Sequence, residues 1–169
     1  MGVKVKTKIN KFPHMEKSLE SLNGKKVLVG VLGGGEQSWL AGIHEYGCNI
    51  EVTPKMRAWL HRNGLHLKKD TKEIHIPERS FLRSGYDEHK DEVLKKVDEI
   101  VGLVSDGSMS AEDFLETIGL LLSSKIKDFA VDLKIPAKHP FTLECNGGKK
   151  TNPLVDSGDM INAITYRVE

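Results

Sequence analysis

The sequence predicts an α+β domain, in which a small, mainly antiparallel sheet packs against two long helices with long extended loops outside. Two consecutive segments carry apolar residues at helical spacing and are joined by a short polar loop. One β-branched run and two segments that alternate apolar and polar residues supply the strands. A chain of 169 residues has room for one domain of ordinary size, so we expect a single domain over residues 1–169.

The strands are predicted from three kinds of pattern. Residues 3–10 alternate apolar side chains with lysines, which is typical of a half-buried strand. Residues 26–32 (KVLVGVL) form the longest β-branched run, and 50–53 allow a brief strand. Ile164, Tyr166 and Val168 alternate near the end of the sequence, and we expect this strand to return and pair with 26–32.

The helices are predicted from apolar spacing and from their end signals. A short helix fits residues 15–22, and another covers 39–46, with Ile43 and Tyr46 on the sheet and Gly47 as its C-terminal cap. One long helix runs from Phe81 to Asp106-Gly107. A second begins after Ser110, with Asp113 completing a capping box, and continues to about residue 133. The two should form an αα-hairpin.

Two segments are expected to be mobile loops that become ordered on contact with a partner. Residues 55–76 have few periodic apolar positions, so 48–76 is interpreted as a long excursion. Pro136 and Pro140 oppose helix, which makes 136–152 a loop. After it, Asp156 is expected to cap a short helix through Ile161.

The charge balance disfavours generic binding to polyanions. Lys and Arg total 25 against 24 Asp and Glu, a net charge of +1, which gives no long-range field for nucleic acid or an anionic membrane. No apolar run of 18 residues occurs, so no membrane span is expected. Cys48 and Cys145 lie far apart and in no metal-type spacing, which is not a disulfide framework.

The motifs that could carry chemistry are incomplete. The glycines of 30–35 match neither a dinucleotide fingerprint nor a phosphate-binding loop, so a flexible connector is favoured. His44-Glu45 is similar to the start of a zinc-protease helix, but the second histidine is missing and a structural role is favoured for both residues. We therefore expect no catalytic residues, no metal ligands and no cofactor.

Two places are candidates for contact with other proteins. Trp59, with Met56 and Arg57, lies in an otherwise polar segment, where a Trp and Arg cluster is as consistent with an interface as with a core. Lys149 and Lys150 follow Asn146-Gly147-Gly148 and would sit at a loop tip.

Three blocks of sequence, taken in order, resemble the phage virion-morphogenesis and tail-completion proteins, a group that includes the G-protein-like family of transposable phages. The first, residues 41–47, is similar to that family's A-x-I-H-E-[FY]-G; the second, 76–82, to I-P-x-R-x-F-L; the third, 153–166, to P-L-[VI]-D-T-G-x-L-x-x-S-I-x-Y. The matching positions are Ala41, Ile43, His44, Glu45, Tyr46, Gly47, Ile76, Pro77, Arg79, Phe81, Leu82, Pro153, Leu154, Asp156, Ser157, Gly158, Ile164 and Tyr166.

The third block departs from the family pattern at three positions. Ser157 stands for the usual Thr and Met160 for Leu, both near-equivalent, whereas Ala163 replaces Ser and loses a hydroxyl. The resemblance implies a structural subunit of the tail or head–tail neck without enzymatic activity. It would form a ring with copies of itself and contact other head–tail or tail proteins, assembling in the host cytoplasm and remaining in the virion.

Two other classes of function remain open on the sequence. A tail-associated hydrolase would need paired carboxylates or a metal, and Glu45, directly after His44, is the candidate for it. A DNA-binding phage regulator is opposed by the near-zero net charge and by the lack of a helix-turn-helix signal, so no specific nucleic acid partner is expected.

Overall fold

A computed structural model describes residues 12–169 and confirms the α+β class, with two long packed helices and a small antiparallel sheet. In chain order the described elements are α1 (Phe12–Glu20), β1 (Val27–Val31), α2 (Glu36–Tyr46), β2 (Cys48–Glu51), α3 (Pro54–Arg62), β3 (Glu73–Ile76), α4 (Phe81–Ser105), α5 (Ala111–Asp132), α6 (Pro140–Cys145), α7 (Asp159–Asn162) and β4 (Ile164–Val168). The strand predicted over residues 3–10 lies outside the described residues.

The strands pair in two antiparallel ladders. In the first, β1 pairs with β4, so that Val27 lies opposite Val168 and Val31 opposite Ile164, as the alternation near the end of the sequence predicted. In the second, β2 pairs with β3, with Cys48 opposite Ile76. Within residues 12–169 these are two separate two-stranded sheets, whereas the sequence predicted one.

The predicted αα-hairpin is confirmed. α4 and α5 lie along each other, and α5 also covers β1 and β4. The Ser110 hydroxyl accepts a hydrogen bond from the Asp113 backbone N–H at 3.0 Å, which starts α5 as its capping sequence predicted. The core forms two clusters: one contains Ala41, Phe81, Ile126, Ala130, Leu154, Met160, Ile161 and Ile164; the other contains Val93, Ile100, Val104, Phe114 and Ile118.

The interpretation of residues 55–76 as a long loop is wrong for half of its length. Thr53 caps α3, with its hydroxyl accepting a hydrogen bond from the Met56 N–H at 3.1 Å, and Pro54 occupies the first turn. Leu60 is the buried residue of this helix. One buried position gives no apolar periodicity, so the periodicity could not reveal the helix. The mobility expected of this segment stays a prediction.

Two expectations near the end of the sequence are also wrong. Pro140 does not prevent helix but begins α6, because proline fits a first helical turn, where its missing N–H costs nothing. Asp156 does not cap α7: the cap residue is Gly158, and the Ser157 hydroxyl accepts the Asp159 N–H at 3.3 Å. The Asp156 carboxylate instead forms an ion pair with Lys150 at 3.3 Å.

Gly119 gives a test of how closely β4 packs on α5. The Tyr166 ring lies so close to Gly119 that an added Cβ would overlap it. We expect Gly119→Ala to lower the free energy of unfolding by about 2 kcal/mol, because overpacking outweighs the better helix propensity of alanine. Gly102→Ala in α4 meets nothing within 4 Å and should be neutral or stabilising. Chemical denaturation would measure both, and losses of equal size would contradict this account.

Candidate functional site

The three sequence blocks meet at one place, which we call the motif junction: the end of α2, residues 76–82 before and within α4, and residues 153–166. The backbone N–H of Arg79 donates to the carbonyl of His44 at 2.7 Å, which joins the first two blocks. Phe81 and Leu154, from the second and third blocks, are buried in one cluster with Ala41. Blocks separated by more than a hundred residues of sequence therefore build one structure.

Glu45 supplies the cap of α4 from outside that helix. Its carboxylate accepts hydrogen bonds from the N–H of Leu82 at 2.8 Å and of Arg83 at 3.1 Å, and it forms an ion pair with the Arg83 guanidinium at 2.9 Å. Ser80, at the N-cap position, makes no side-chain cap bond. The side chain of Glu45 is only 3 % exposed. A buried carboxylate here is satisfied by helix N–H groups that would otherwise lack partners.

Arg79 bonds the segment that follows α5 to the motif junction. The residue is 7 % exposed. Its Nε donates to the carbonyl of Pro136 at 2.8 Å, and a terminal nitrogen donates to that of Ala137 at 3.2 Å. Its other terminal nitrogen lies 3.1 Å from Nδ1 of His44. Because arginine can only donate, His44 Nδ1 accepts and the imidazole is neutral with its proton on Nε2.

His44 is predicted to make stability depend on acid. Burial, reinforced by the charges of Arg79 and Lys138, lowers the pKa of His44 from 6.5 to about 4. Between pH 6.5 and 4 the His44 side chain is protonated in the unfolded chain but neutral in the folded one. The free energy of unfolding therefore falls as the pH drops from 6.5 towards 4, and His44 has no effect on it above about pH 7. For a partly exposed group we expect a loss of about 2 kcal/mol.

The matched variant for this prediction is His44→Asn, because an amide oxygen can accept from Arg79 without titrating. Urea denaturation at several pH values would give the free energy of unfolding of both proteins. The difference between them should change across the pH 6.5 to 4 window, and a difference that is constant over that window would contradict the assignment.

Asn152 and Lys138 also hold the junction, and sequence reasoning missed both. The Asn152 amide donates to the carbonyls of Ala130 at 3.0 Å and Leu133 at 3.2 Å, closing the end of α5, while its oxygen accepts the Leu154 N–H at 2.7 Å. Lys138 donates from Nζ to the Val155 carbonyl at 2.6 Å. Only the dipeptide Asn152-Pro153 hinted at a turn.

The remaining motif residues are placed as follows. Tyr46, expected on the sheet, is 68 % exposed, and the Arg83 guanidinium lies 4.9 Å from its ring centroid. Gly47 has a positive φ of 68°. Ile43, Ile76, Pro77, Leu82, Gly158 and Tyr166 are half-buried, Pro153 and Ile164 are buried, and Asp156 and Ser157 are exposed.

The candidate interface residues do not form one cluster. Trp59 is 54 % exposed and meets Phe141 edge to face at 6.4 Å between ring centroids. Arg57 donates to the Lys68 carbonyl at 2.7 Å and so holds the following loop, and Met56 is half-buried. Lys149 and Lys150 are exposed at the other candidate place.

Within residues 12–169 no three His, Cys, Asp or Glu side chains are grouped closely enough to hold a metal ion. In the same part of the chain no helix combines the length and apolarity needed to cross a bilayer. Glu45, Arg79 and Asn152 of the motif junction each bond to backbone groups of neighbouring segments. These bonds fix the start of α4 against the end of α5.

No family model matches the chain, and neither a curated protein nor a solved structure matches it. The resemblance to the virion-morphogenesis proteins therefore depends on the three sequence blocks themselves.

Proposed function

We propose that this chain is a structural subunit of a tailed bacteriophage or prophage, acting in virion morphogenesis at the tail or the head–tail neck and not as an enzyme. The observation that carries the proposal is the motif junction. Three blocks that resemble one family of phage proteins come together around Phe81, which is fully buried. Six of the eight buried residues of this core cluster lie within the three blocks, so the blocks build one part of the fold.

The kind of bonding at the junction supports a scaffold role for these blocks. Glu45, Arg79 and Asn152 direct their polar groups to backbone N–H and carbonyl groups of neighbouring segments. Such bonds fix the relative positions of helices and loops. A subunit that must fit its neighbours benefits from a rigid frame, because preorganised surfaces lose less entropy on association.

The surface also offers apolar anchors for neighbours. Several large apolar side chains are more than half exposed, among them Trp39, Trp59, Leu120 and Ile135. Aromatic residues such as these two tryptophans are enriched where proteins meet. The partners that we propose are further copies of the chain, in a ring, and other phage head–tail or tail proteins, with the host cytoplasm as the place of assembly and the virion as the final location.

Particle morphology tests the proposal. Deleting the gene from the phage or prophage that carries it should leave heads and tails unjoined or tails unfinished in electron micrographs, and supplying the gene in trans should restore infectious particles. Intact infectious particles at the normal yield without the gene would reject the proposal. The control is a deletion complemented by an unfolded variant of the same chain, which should not restore joining.

A further inference from the structure

Positive charge is concentrated in the segment that contains α3. Residues 53–69 include five Lys and Arg and no Asp or Glu, so the segment carries a net charge of +5, although the whole chain carries +1. Within residues 12–169 none of these five cations forms an ion pair with a carboxylate, whereas Arg83, Lys125 and Lys150 do. Their charge is therefore not neutralised inside the subunit and is open to an external anion.

Some of these cations surround a groove between α3 and the loop that follows it, which we call the α3 groove. It has a volume of about 430 Å³ and is lined by Pro54, Arg57, Ala58, His61, Leu67 and Lys69. Two cations and no carboxylate are among these residues. The larger groove between α4 and α5 differs, because its two Glu and two Lys balance each other. The sign of the charge in the α3 groove selects an anion.

Arg57 joins the two walls of the α3 groove. Its guanidinium donates to the carbonyl oxygen of Lys68 at 2.7 Å and to that of Thr71. His61 and His66 also connect the helix with the loop, because their Nδ1 atoms lie 2.6 Å apart, at hydrogen-bond distance. Carbonyl groups are uncharged, so the bonds of Arg57 hold the loop against α3 and leave the positive charge of the guanidinium uncompensated.

The five cations lie on two sides of α3. Arg57 faces the groove, and Lys68 and Lys69 are exposed on the loop that forms its other wall. Lys55 and Arg62 are exposed on the opposite side of the helix, because positions two and five residues from Arg57 are turned away from it. The three cations on the groove side give it a charge of +3, and the pair on the far side serves as an internal comparison.

A nucleic acid backbone has the chemistry that this groove selects. Guanidinium and ammonium N–H groups form charge-assisted hydrogen bonds to phosphate oxygens. Duplex DNA carries one negative charge per about 1.7 Å of its axis and releases condensed counterions when cations bind, so exposed cations gain from it without a deep pocket. With nine residues, α3 is about 13 Å long, a length that spans about four phosphates of one strand.

The low net charge of the whole chain does not oppose a contact at this distance. At an ionic strength of about 0.1 M, charges act over about 10 Å, so the chain lacks long-range attraction for a polyanion while the groove keeps its local charge. An anionic bilayer matches less well. In the loop after α3 the apolar side chains, Leu65 and Leu67, are half-buried, so they are not presented for insertion between lipids.

We propose that the α3 groove binds the phosphodiester backbone of a nucleic acid, with Arg57, Lys68 and Lys69 as the cations that face the phosphates. Contacts to phosphates position a protein but carry no information on base sequence, so this binding is non-specific. The inference goes beyond the proposed function and does not depend on it, because unjoined or unfinished particles after gene deletion are expected whether or not the subunit contacts nucleic acid.

Charge reversal on the two sides of α3 tests the proposal. Lys68→Glu/Lys69→Glu reverses the exposed cations of the groove, and Lys55→Glu/Arg62→Glu makes the same change of charge on the far side. Fluorescence anisotropy of a short labelled DNA duplex, titrated with the full chain at salt concentrations from about 50 mM to about 200 mM, would give the affinity and its salt dependence. Circular dichroism would show that each variant is folded.

The wild-type chain should bind the duplex with a Kd of about 10⁻⁴ to 10⁻⁶ M at physiological salt, as is usual for non-specific contacts. Contacts from the three groove cations predict a slope of about −3 for the logarithm of the affinity against that of the salt concentration. The groove reversal should weaken binding about tenfold or more at about 50 mM salt and bring the slope towards about −1, whereas the far-side reversal should weaken it about threefold or less.

Lys25→Glu/Lys134→Glu, at exposed positions outside residues 53–69, should leave the affinity within about twofold of the wild type. Three results would overturn the inference: no binding by the wild type at about 50 mM salt, equal losses in the groove and far-side reversals, or a loss in this control as large as in the groove reversal. Vesicles that contain phosphatidylserine should bind more weakly than the duplex, and tighter binding to them would overturn it in favour of a membrane. None of these results bears on particle assembly, which gene deletion tests separately.

Discussion

Glu45→Ala is expected to lower the free energy of unfolding by about 3 kcal/mol. The change removes the acceptor for the first N–H groups of α4, at Leu82 and Arg83, in a place where the wild-type side chain is only 3 % exposed. Water cannot easily replace a buried cap, so these donors lose their partner without compensation. Urea denaturation would measure the loss.

The control for Glu45→Ala is a substitution of the other carboxylate that pairs with Arg83. Glu78 also forms an ion pair with Arg83, at 2.6 Å, but its side chain is 53 % exposed. Glu78→Ala should therefore cost about 0.5 kcal/mol or less, as is usual for exposed pairs. Similar losses in the two variants would show that Glu45 acts only through Arg83 and not as the cap of α4.

Glu45→Gln separates a structural role from a chemical one. The amide keeps one oxygen acceptor for the helix N–H groups but has no carboxylate for proton transfer. If Glu45 is part of a scaffold, phage that carry this variant should still complete infectious particles. Particles that assemble but lose a hydrolytic activity would support the tail-associated hydrolase instead.

The parts of the fold that the sequence predicted are those with a strong local signal. The apolar stripes of α4 and α5 and the capping sequence at Ser110 define both helices without knowledge of their surroundings. The alternation of Ile164, Tyr166 and Val168 gave β4, because one face of that strand packs on α5. The spacing of apolar residues follows from which face of an element is buried. These three elements could therefore be predicted from the sequence.

The helices that sequence analysis missed had end signals but little apolar period. Thr53-Pro54 and His139-Pro140 each place a capping side chain before a proline in the first turn. From the sequence, Pro136 and Pro140 are interpreted as residues that oppose helix. Reading proline as a first-turn residue would have revealed α3 and α6.

The polar bonds of the motif junction could not be derived from local sequence. The N–H groups that Glu45 caps belong to residues 37 and 38 positions away, and Asn152 bonds to carbonyls about 20 positions earlier. No periodicity encodes such pairs. The resemblance of the three blocks indicated that Glu45 matters but did not say what it contacts, and Asn152 lies outside those blocks.

Gly47→Ala is expected to cost about 3 to 4 kcal/mol, through two effects that act together. The first is conformational, because Gly47 combines a φ of 68° with a ψ of 169°, a backbone conformation that is essentially restricted to glycine. The second is crowding, because an added Cβ would lie 2.8 Å from the Ile76 carbonyl oxygen and 2.9 Å from the Glu78 nitrogen. Both neighbours are backbone atoms, which cannot turn aside as a flexible side chain would.

Gly24→Ala measures the cost of a positive φ in the absence of crowding. Its φ is +75°, but nothing lies within 4 Å of the added Cβ, so it should cost only about 1 kcal/mol. The excess in Gly47→Ala then combines the crowding between the end of α2 and the segment that enters α4 with the cost of the extended ψ of Gly47. Equal losses in the two variants would mean that residues 76–78 move away easily. The Arg79 to His44 backbone bond and the Glu45 cap, which flank this contact, would then be too weak to define a rigid junction.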